Sequence, residues 1–302
     1  MSRAFCIPLR TRFRGQTERR GLLLEGPCGW GEFSPFPEYP AAVAQRWLQA
    51  AREAAHTPWP EPRRRRIPVN VTVPALAPER AHSLVASSGC TTAKVKVAEG
   101  DDEARVEAVR DALGPTGKLR IDANGAWNVD EARTALVRLG RYDLEYAEQP
   151  VASLEDMAAL RRLVDVPLGV DEPVRKLGAA ASLPLSAAAD VVVLKVQPLG
   201  GVWPALELAE RVGLPAVVSS ALETSIGIAA GLALAAALEE LPYACGLATV
   251  ALLEGDVVAE PLLPHDGVIE LRRPSVAEEE LRRWEIEAHE WEQRARSAEE
   301  VS

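Results

Sequence analysis

"LRIDANGAWNVDEARTALVRLGRYDLEYAEQP", residues 119–150, decides the fold. It opens on a short apolar run that ends in Asp122 and turns through "NGAWN". It then enters "VDEARTALVRLG", where apolar residues recur at helical spacing, and closes on a second short run, "LEYAE", ending in Glu148. Strand, helix and strand in about thirty residues make a βα repeat.

The repeat continues on both sides. The strand candidates are "IPVNVTV" (67–73), "AKVKV" (93–97), "LRIDA" (119–123), "LEYAE" (144–148), "LGVD" (168–171), "VVVLKV" (191–196), "PAVVSS" (215–220) and "ACGLAT" (244–249). Helical patterns such as "DEARVEAVRDAL" (102–113), "LEDMAALRRL" (154–163) and "WPALELAERVG" (203–213) lie between them. Nearly continuous apolar strands alternating with amphipathic helices predict a parallel sheet with helices outside. Eight strands favour a (β/α)8-type barrel. An open doubly wound sheet ranks second, because no GxGxxG follows its first strand.

Residues 1–66 read differently, as an α+β unit with strands "RAFCIPL" and "RRGLLLEG", the turn-rich "GPCGWGEFSPFPEYP" and the helix "AAVAQRWLQAAREAAH". Residues 67–261 form the expected barrel domain. Residues 262–302 are highly charged, and "SVAEEELRRWEIEAHEWEQRARSAEE" predicts one amphipathic helix with Trp284 and Trp291 on its apolar side.

The bulk composition bounds the function. A net charge of -10 argues against nucleic acid or an anionic membrane as the main partner. Arg63–Arg66, between prolines in "EPRRRRIP", reads as a charged surface corner rather than a nucleic-acid signal. Cys6, Cys28, Cys90 and Cys245 form no CxxC, which suits a reducing compartment. The apolar run Ile226–Leu238 is too short to span a bilayer and predicts a buried helix. The expectation is a cytoplasmic protein without membrane insertion, its oligomeric state open.

Barrel strands expose their last residues at the mouth. Read in order, those ends carry Lys94 and Lys96, Asp122 and Asn124, Glu148, Asp171 and Lys195, at intervals of about 25 residues. Successive strands therefore deliver polar groups to one rim. Asp122, Glu148 and Asp171 converge, and each like-charged pair near 4 Å would cost about 4 kcal/mol at an effective dielectric near 20. A divalent cation resolves the conflict. An all-oxygen set, with His56, His82, His265 and His289 in no metal spacing, favours Mg²⁺, or Mn²⁺, over zinc. The competing reading makes each acid a helix N-cap, which suits Asp122 or Asp171 but not the Glu of "YAEQP".

Lysine is scarce: the chain has five, and Lys94, Lys96 and Lys195 are three of them. Lys94 and Lys96 share one strand face. A neighbouring cation, a metal and desolvation would lower a lysine's pKa toward ~7–8, a change that arginine cannot undergo. Metal plus flanking lysines suits removal of a proton α to a carboxylate.

"KVK", "DANGAW", "EQP", "VDEP" and "LKVQPLGG" together resemble the enolase superfamily, in its muconate-lactonising-enzyme subgroup. The resemblance covers nearly the whole chain. It implies a modified (β/α)7β TIM-type barrel with an α+β capping domain built from the N-terminal segment and the C-terminal tail. "GWGEFSPFPEY", "SSALETSIGIAAGLALAAAL" and "LPYACGLATVALL" are similar to the branch that dehydrates 2-succinyl-6-hydroxy-2,4-cyclohexadiene-1-carboxylate in menaquinone biosynthesis.

By that resemblance Lys96 is the base, Lys195 stabilises the anionic intermediate, and Asp122, Glu148 and Asp171 ligate Mg²⁺. Lys94, Asn124, Ser219 and Ser220 are the expected substrate contacts. Glu172 is assigned to the opposite strand face, and Arg120 to an ion pair beneath the site. Arg12 and Arg14 of the cap loop reach the substrate or stay solvated. Glu32–Tyr39 forms an apolar lid or domain packing, and Gly200–Gly201 a tight turn before a helix. Racemisation of N-acylamino acids, with Lys96 and Lys195 as paired acid and base, is the alternative activity. A non-catalytic ligand-binding barrel is the reading from another class.

Overall fold

A computed structural model of the chain describes residues 2–176 and 185–301. The N-terminal unit is an antiparallel sheet of β1 (Ser2–Phe13), β2 (Gln16–Gly26) and β3 (Gly29–Phe33), covered by α1 (Ala41–His56). Trp47, Leu48 and Ala51 of α1 are buried against it. The approach is close: a Cβ at Gly31 would lie 1.9 Å from the Ala51 carbonyl oxygen, so β3 needs glycine there.

After β4 (Arg66–Pro68), the barrel begins at β5 (Val71–Val73), followed by α2 (Pro78–Ser87) and β6 (Thr92–Lys96). It continues through α3 (Asp102–Leu113), β7 (Lys118–Asp122), α4 (Val129–Leu139), β8 (Leu144–Glu148), α5 (Leu154–Arg161) and β9 (Leu168–Val170). After α6 (Glu172–Lys176) and α7 (Leu185–Ala188) come β10 (Val191–Leu194), α8 (Val196–Leu199), α9 (Val202–Val212), β11 (Ala216–Val218) and α10 (Ser225–Ala237). Strands β5 to β11 pair in parallel in sequence order. The ring closes through Cys245 and Gly246, which bridge to Val69 and Ser219 respectively. That short ladder is the eighth strand read from "ACGLAT".

Local signals explain the helix starts. Asp101, Asn128, Ser153 and Thr224 cap α3, α4, α5 and α10, and Asn128 with Glu131 completes a capping box. Because Asn128 caps α4, Asp122 is free of that duty. α10 is apolar on nearly every side and buried, as its composition requires. Arg64 donates to the Ala235, Leu238 and Glu239 carbonyls at its C-terminal end, which gives part of the arginine run a structural task.

Two expectations need correction. "IPVNVTV" is not one barrel strand: β4 pairs antiparallel with β12 (Val268–Glu270), while Val69, bridged to Cys245, and β5 belong to the ring. The C-terminal stretch is not one helix either. It breaks into α11 (Glu278–Trp284), β13 (Glu285–Ile286) and α12 (His289–Glu300), because Glu285 and Ile286 pair with Phe5 and Ala4 on the free edge of β1. Unpaired edge groups compete there with helix propagation. Trp291 and Ala298 of α12 join the buried core of the N-terminal sheet, with Ala221, Leu222 and Ile226 from the barrel side. At the other interface, Gly200 and Gly201 turn the chain into α9, whose first N–H groups are taken by Glu53 of α1. A Cβ at Gly201 would lie 2.3 Å from that carboxylate.

Candidate active site

The strand ends deliver their polar groups to one rim, as the spacing predicts. Lys96, Asp122 and Glu148 end β6, β7 and β8, while Asp171 and Lys195 directly follow β9 and β10. In a ring of eight, β6 and β10 stand four steps apart, so Lys96 and Lys195 approach from opposite sides. One pocket is lined by both lysines together with Lys94, Asp122, Asn124, Ser219 and Ser220. Glu148 and Asp171 lie buried behind that lining.

The ion pairs define the floor. Lys94 Nζ donates to Glu148 Oε1 and Oε2 at 2.9 and 2.8 Å and stands 3.5 Å from Asp122 Oδ2. Lys96 Nζ donates at 2.5 Å to both Asp122 Oδ2 and Asn124 Oδ1. Lys195 Nζ donates to Asp171 Oδ2 at 2.6 Å, and Arg175 of α6 grips both oxygens of the same carboxylate. Among the described residues, no three acidic, histidine or thiol side chains are grouped so as to hold a metal ion as they stand.

Electrostatics separates these groups. Burial works to lower the Lys94 pKa, but Glu148 and Asp122 outweigh it and hold the ammonium charged. Burial and the Arg175 charge push Lys195 the other way, below the usual lysine value. Asp122 stays well below the carboxylate range, since Lys96, Lys94 and Lys195 outweigh its burial. Asp171 does likewise, through Arg175 and Lys195. Glu148 is pushed up to about 7 by burial, with Asp122 and Asp171 adding to the effect and Lys94 opposing it.

The cap closes the mouth. Phe13, Arg14 and Phe36 line the pocket, and the Arg14 guanidinium lies 4.5 Å from the Phe36 ring centroid while donating to Tyr39 Oη at 2.9 Å. Arg12 lines a neighbouring cleft. Phe36 also stacks edge-on against Tyr39 and Trp47, so it packs within the cap as well as lining the pocket. Ser220 Oγ shares a hydrogen bond with Thr249 Oγ1 at 2.8 Å. Arg120 lies beneath the site, its Nε 2.6 Å from Glu145 Oε2 and its guanidinium over the Tyr146 ring.

Glu172 lies on no strand face. β9 ends at Val170, so Glu172 is already helical, and its Oε1 accepts from Asn124 Nδ2 at 3.0 Å. Its Oε2 is buried without a partner. Sequence reasoning also missed Arg175, Phe13 and Thr72. The faint signal for Arg175 is its position four residues after Asp171, one helical turn away.

Residues 77–275 match the family model "Enolase C-terminal domain-like", and residues 4–55 match "Enolase N-terminal domain-like". An o-succinylbenzoate synthase of Thermobifida fusca is 58% identical over 98% of this chain and 95% of its own length. One of Mycobacterium ulcerans is 50% identical over 88% and 83%. An N-succinyl Arg/Lys racemase structure from Bacillus cereus shares the fold, with TM-score 0.78 at 22% identity over 95% of this chain and 97% of its own. The chain belongs to the enolase superfamily and, within it, to the o-succinylbenzoate synthase family.

Proposed function

We infer that this chain catalyses the syn dehydration of 2-succinyl-6-hydroxy-2,4-cyclohexadiene-1-carboxylate to 2-succinylbenzoate, a carbon–oxygen lyase step of menaquinone biosynthesis. The observation that carries the mechanism is the placement of Lys96 and Lys195 on strands four steps apart, with Asp122 in the same pocket lining. The Lys96 amine takes the proton α to the ring carboxylate. The C–H electron pair becomes the new ring double bond, the neighbouring C–O bond breaks, and the proton leaves with the hydroxyl as water. Lys195, buried across the pocket, supports the negative charge that develops in between.

Asp122, Glu148 and Asp171 are our assignment for a divalent cation, Mg²⁺ or Mn²⁺. Three fully buried carboxylates on adjacent strand ends, one of them pushed up to about 7, fit such an ion. When bound, it would neutralise the charge that a substrate carboxylate gains as its α-proton leaves. Lys94, Asn124, Ser219 and Ser220 are assigned to the substrate side of the pocket. The chain divides, in this reading, into a cap (1–66), a catalytic barrel (67–261) and a C-terminal segment packed on them (262–302), working in the cytoplasm on a small carboxylate. No helix among the described residues is long and apolar enough to cross a membrane.

The test is loss of diene absorbance with Mg²⁺ and with EDTA. Rapid, EDTA-sensitive turnover supports the dehydratase. Paired lysines also suit racemisation, so α-proton exchange on N-succinylamino acids in deuterated water, without diene turnover, would move the function there.

A further inference from the structure

One wall of the catalytic pocket is held from the cap. Leu222, in the pocket lining, has φ +68, a left-handed conformation that a leucine keeps only when its surroundings impose it. Arg19 of β2, 2% exposed, donates from Nε to the Leu222 carbonyl at 2.9 Å and from Nη2 to the Ala221 carbonyl at 3.3 Å. The same guanidinium bonds Ser34 Oγ at 2.9 Å and lies 4.6 Å from the Phe36 ring centroid.

Glu32 of β3, also 2% exposed, grips the other end of the loop. Its Oε2 accepts from Thr224 N at 3.0 Å, from Thr224 Oγ1 and from Gly227 N at 3.2 Å; Oε1 accepts from Ser34 Oγ at 2.6 Å. Ser34 joins the two grips, and Arg19, Glu32 and Ser34 are not among the residues that line the pocket.

We propose that Arg19 and Glu32 are positioning residues, a clamp through which the cap fixes Ala221–Thr224 and so shapes the pocket wall that receives the substrate. This rests on the pocket being the dehydratase site. Without the clamp, Leu222 is free to relax to negative φ and withdraw from its place in the wall. Lys96 and Lys195, on separate strands, keep their chemistry.

The experiment compares kcat, KM, 2-succinylbenzoate affinity by calorimetry and thermal unfolding for the wild type, Glu32→Ala, Glu32→Gln and Thr224→Val. Glu32→Ala should lose about 10- to 100-fold in kcat/KM, mainly through KM, with a matching loss of product affinity. Glu32→Gln, which keeps an acceptor for Thr224, should stay within about threefold of wild type. Thr224→Val should fall between them. Folded variants with wild-type KM and product affinity, changed only in melting temperature, would overturn the clamp. If Glu32→Ala does not fold, Thr224→Val, which removes one hydroxyl, decides alone. Wild-type turnover is measured first: its absence overturns the functional reading and the clamp with it, whereas an unmoved variant of an active enzyme overturns the clamp alone.

Discussion

Lys94 and Glu148 form a closed pair at the pocket floor, with the ammonium 2.9 and 2.8 Å from the two carboxylate oxygens and both side chains almost fully buried. Lys96, two residues on, ends the strand at the mouth and is the more exposed of the two. The same residue type, on one face of one strand, thus meets two environments.

Lys94→Met should therefore cost stability before it costs chemistry. It strands a buried carboxylate, and breaking a buried pair from one side costs about 3–5 kcal/mol. Urea unfolding at pH 8 reads the loss. The loss should shrink at pH 5, where Glu148, with its pKa pushed up to about 7, is protonated. An equal loss at both pH values would contradict this account of the pair.

The pH dependence of the metal-free protein should carry two opposite slopes. Glu32 and Glu148 are both raised to about 7 from 4.5, so the folded state binds more protons than the unfolded state in that window. Their contribution to stability is present below the unfolded value and is lost as pH rises through 7, on the order of 3 kcal/mol for Glu32. Asp122 and Asp171 act the other way: depressed below 3.8, they contribute stability above that value and lose it as pH falls through their folded values. Unfolding curves from pH 8 down to pH 2, well below the unfolded aspartate value, check both slopes. Glu32→Gln should flatten the upper one.

Divalent cations should stabilise the chain by mass action, about 2.7 kcal/mol at a hundredfold excess over Kd. A melting-temperature titration with Mg²⁺ and Mn²⁺ measures this, and Asp122→Asn or Asp171→Asn should abolish the shift. A shift that survives both substitutions would move the cation elsewhere.

Arg14, stacked on Phe36 at the mouth, should act on substrate binding. Arg14→Met is expected to raise KM about tenfold with kcat little changed, the signature of lost uniform binding. A fall in kcat at constant KM would place it in the chemistry instead.

Much of this was legible in the sequence because barrel strands write their own pattern. Apolar runs ending in Lys96, Asp122, Glu148, Asp171 and Lys195 place one residue per strand at one rim, and period-two alternation orients it. The pattern stops where strands stop. Glu172 begins a helix, so the strand-face argument misplaced it, and Arg175 and Arg14 reach the site from a helix and a cap loop without strand periodicity. β4 and β13 were hidden for another reason: each is defined by a distant partner, Ile67 by Ile269 and Ile286 by Ala4, and local propensity carries no record of such pairing.

The most direct test of the account is the Mg²⁺-dependent dehydration rate of Lys96→Ala beside the wild type, with 2-succinylbenzoate affinity measured on both. The account predicts a rate lower by about 10²–10⁴-fold in the variant, with product still bound. A variant that dehydrates the diene at the wild-type rate would contradict Lys96 as the base, and with it the mechanism.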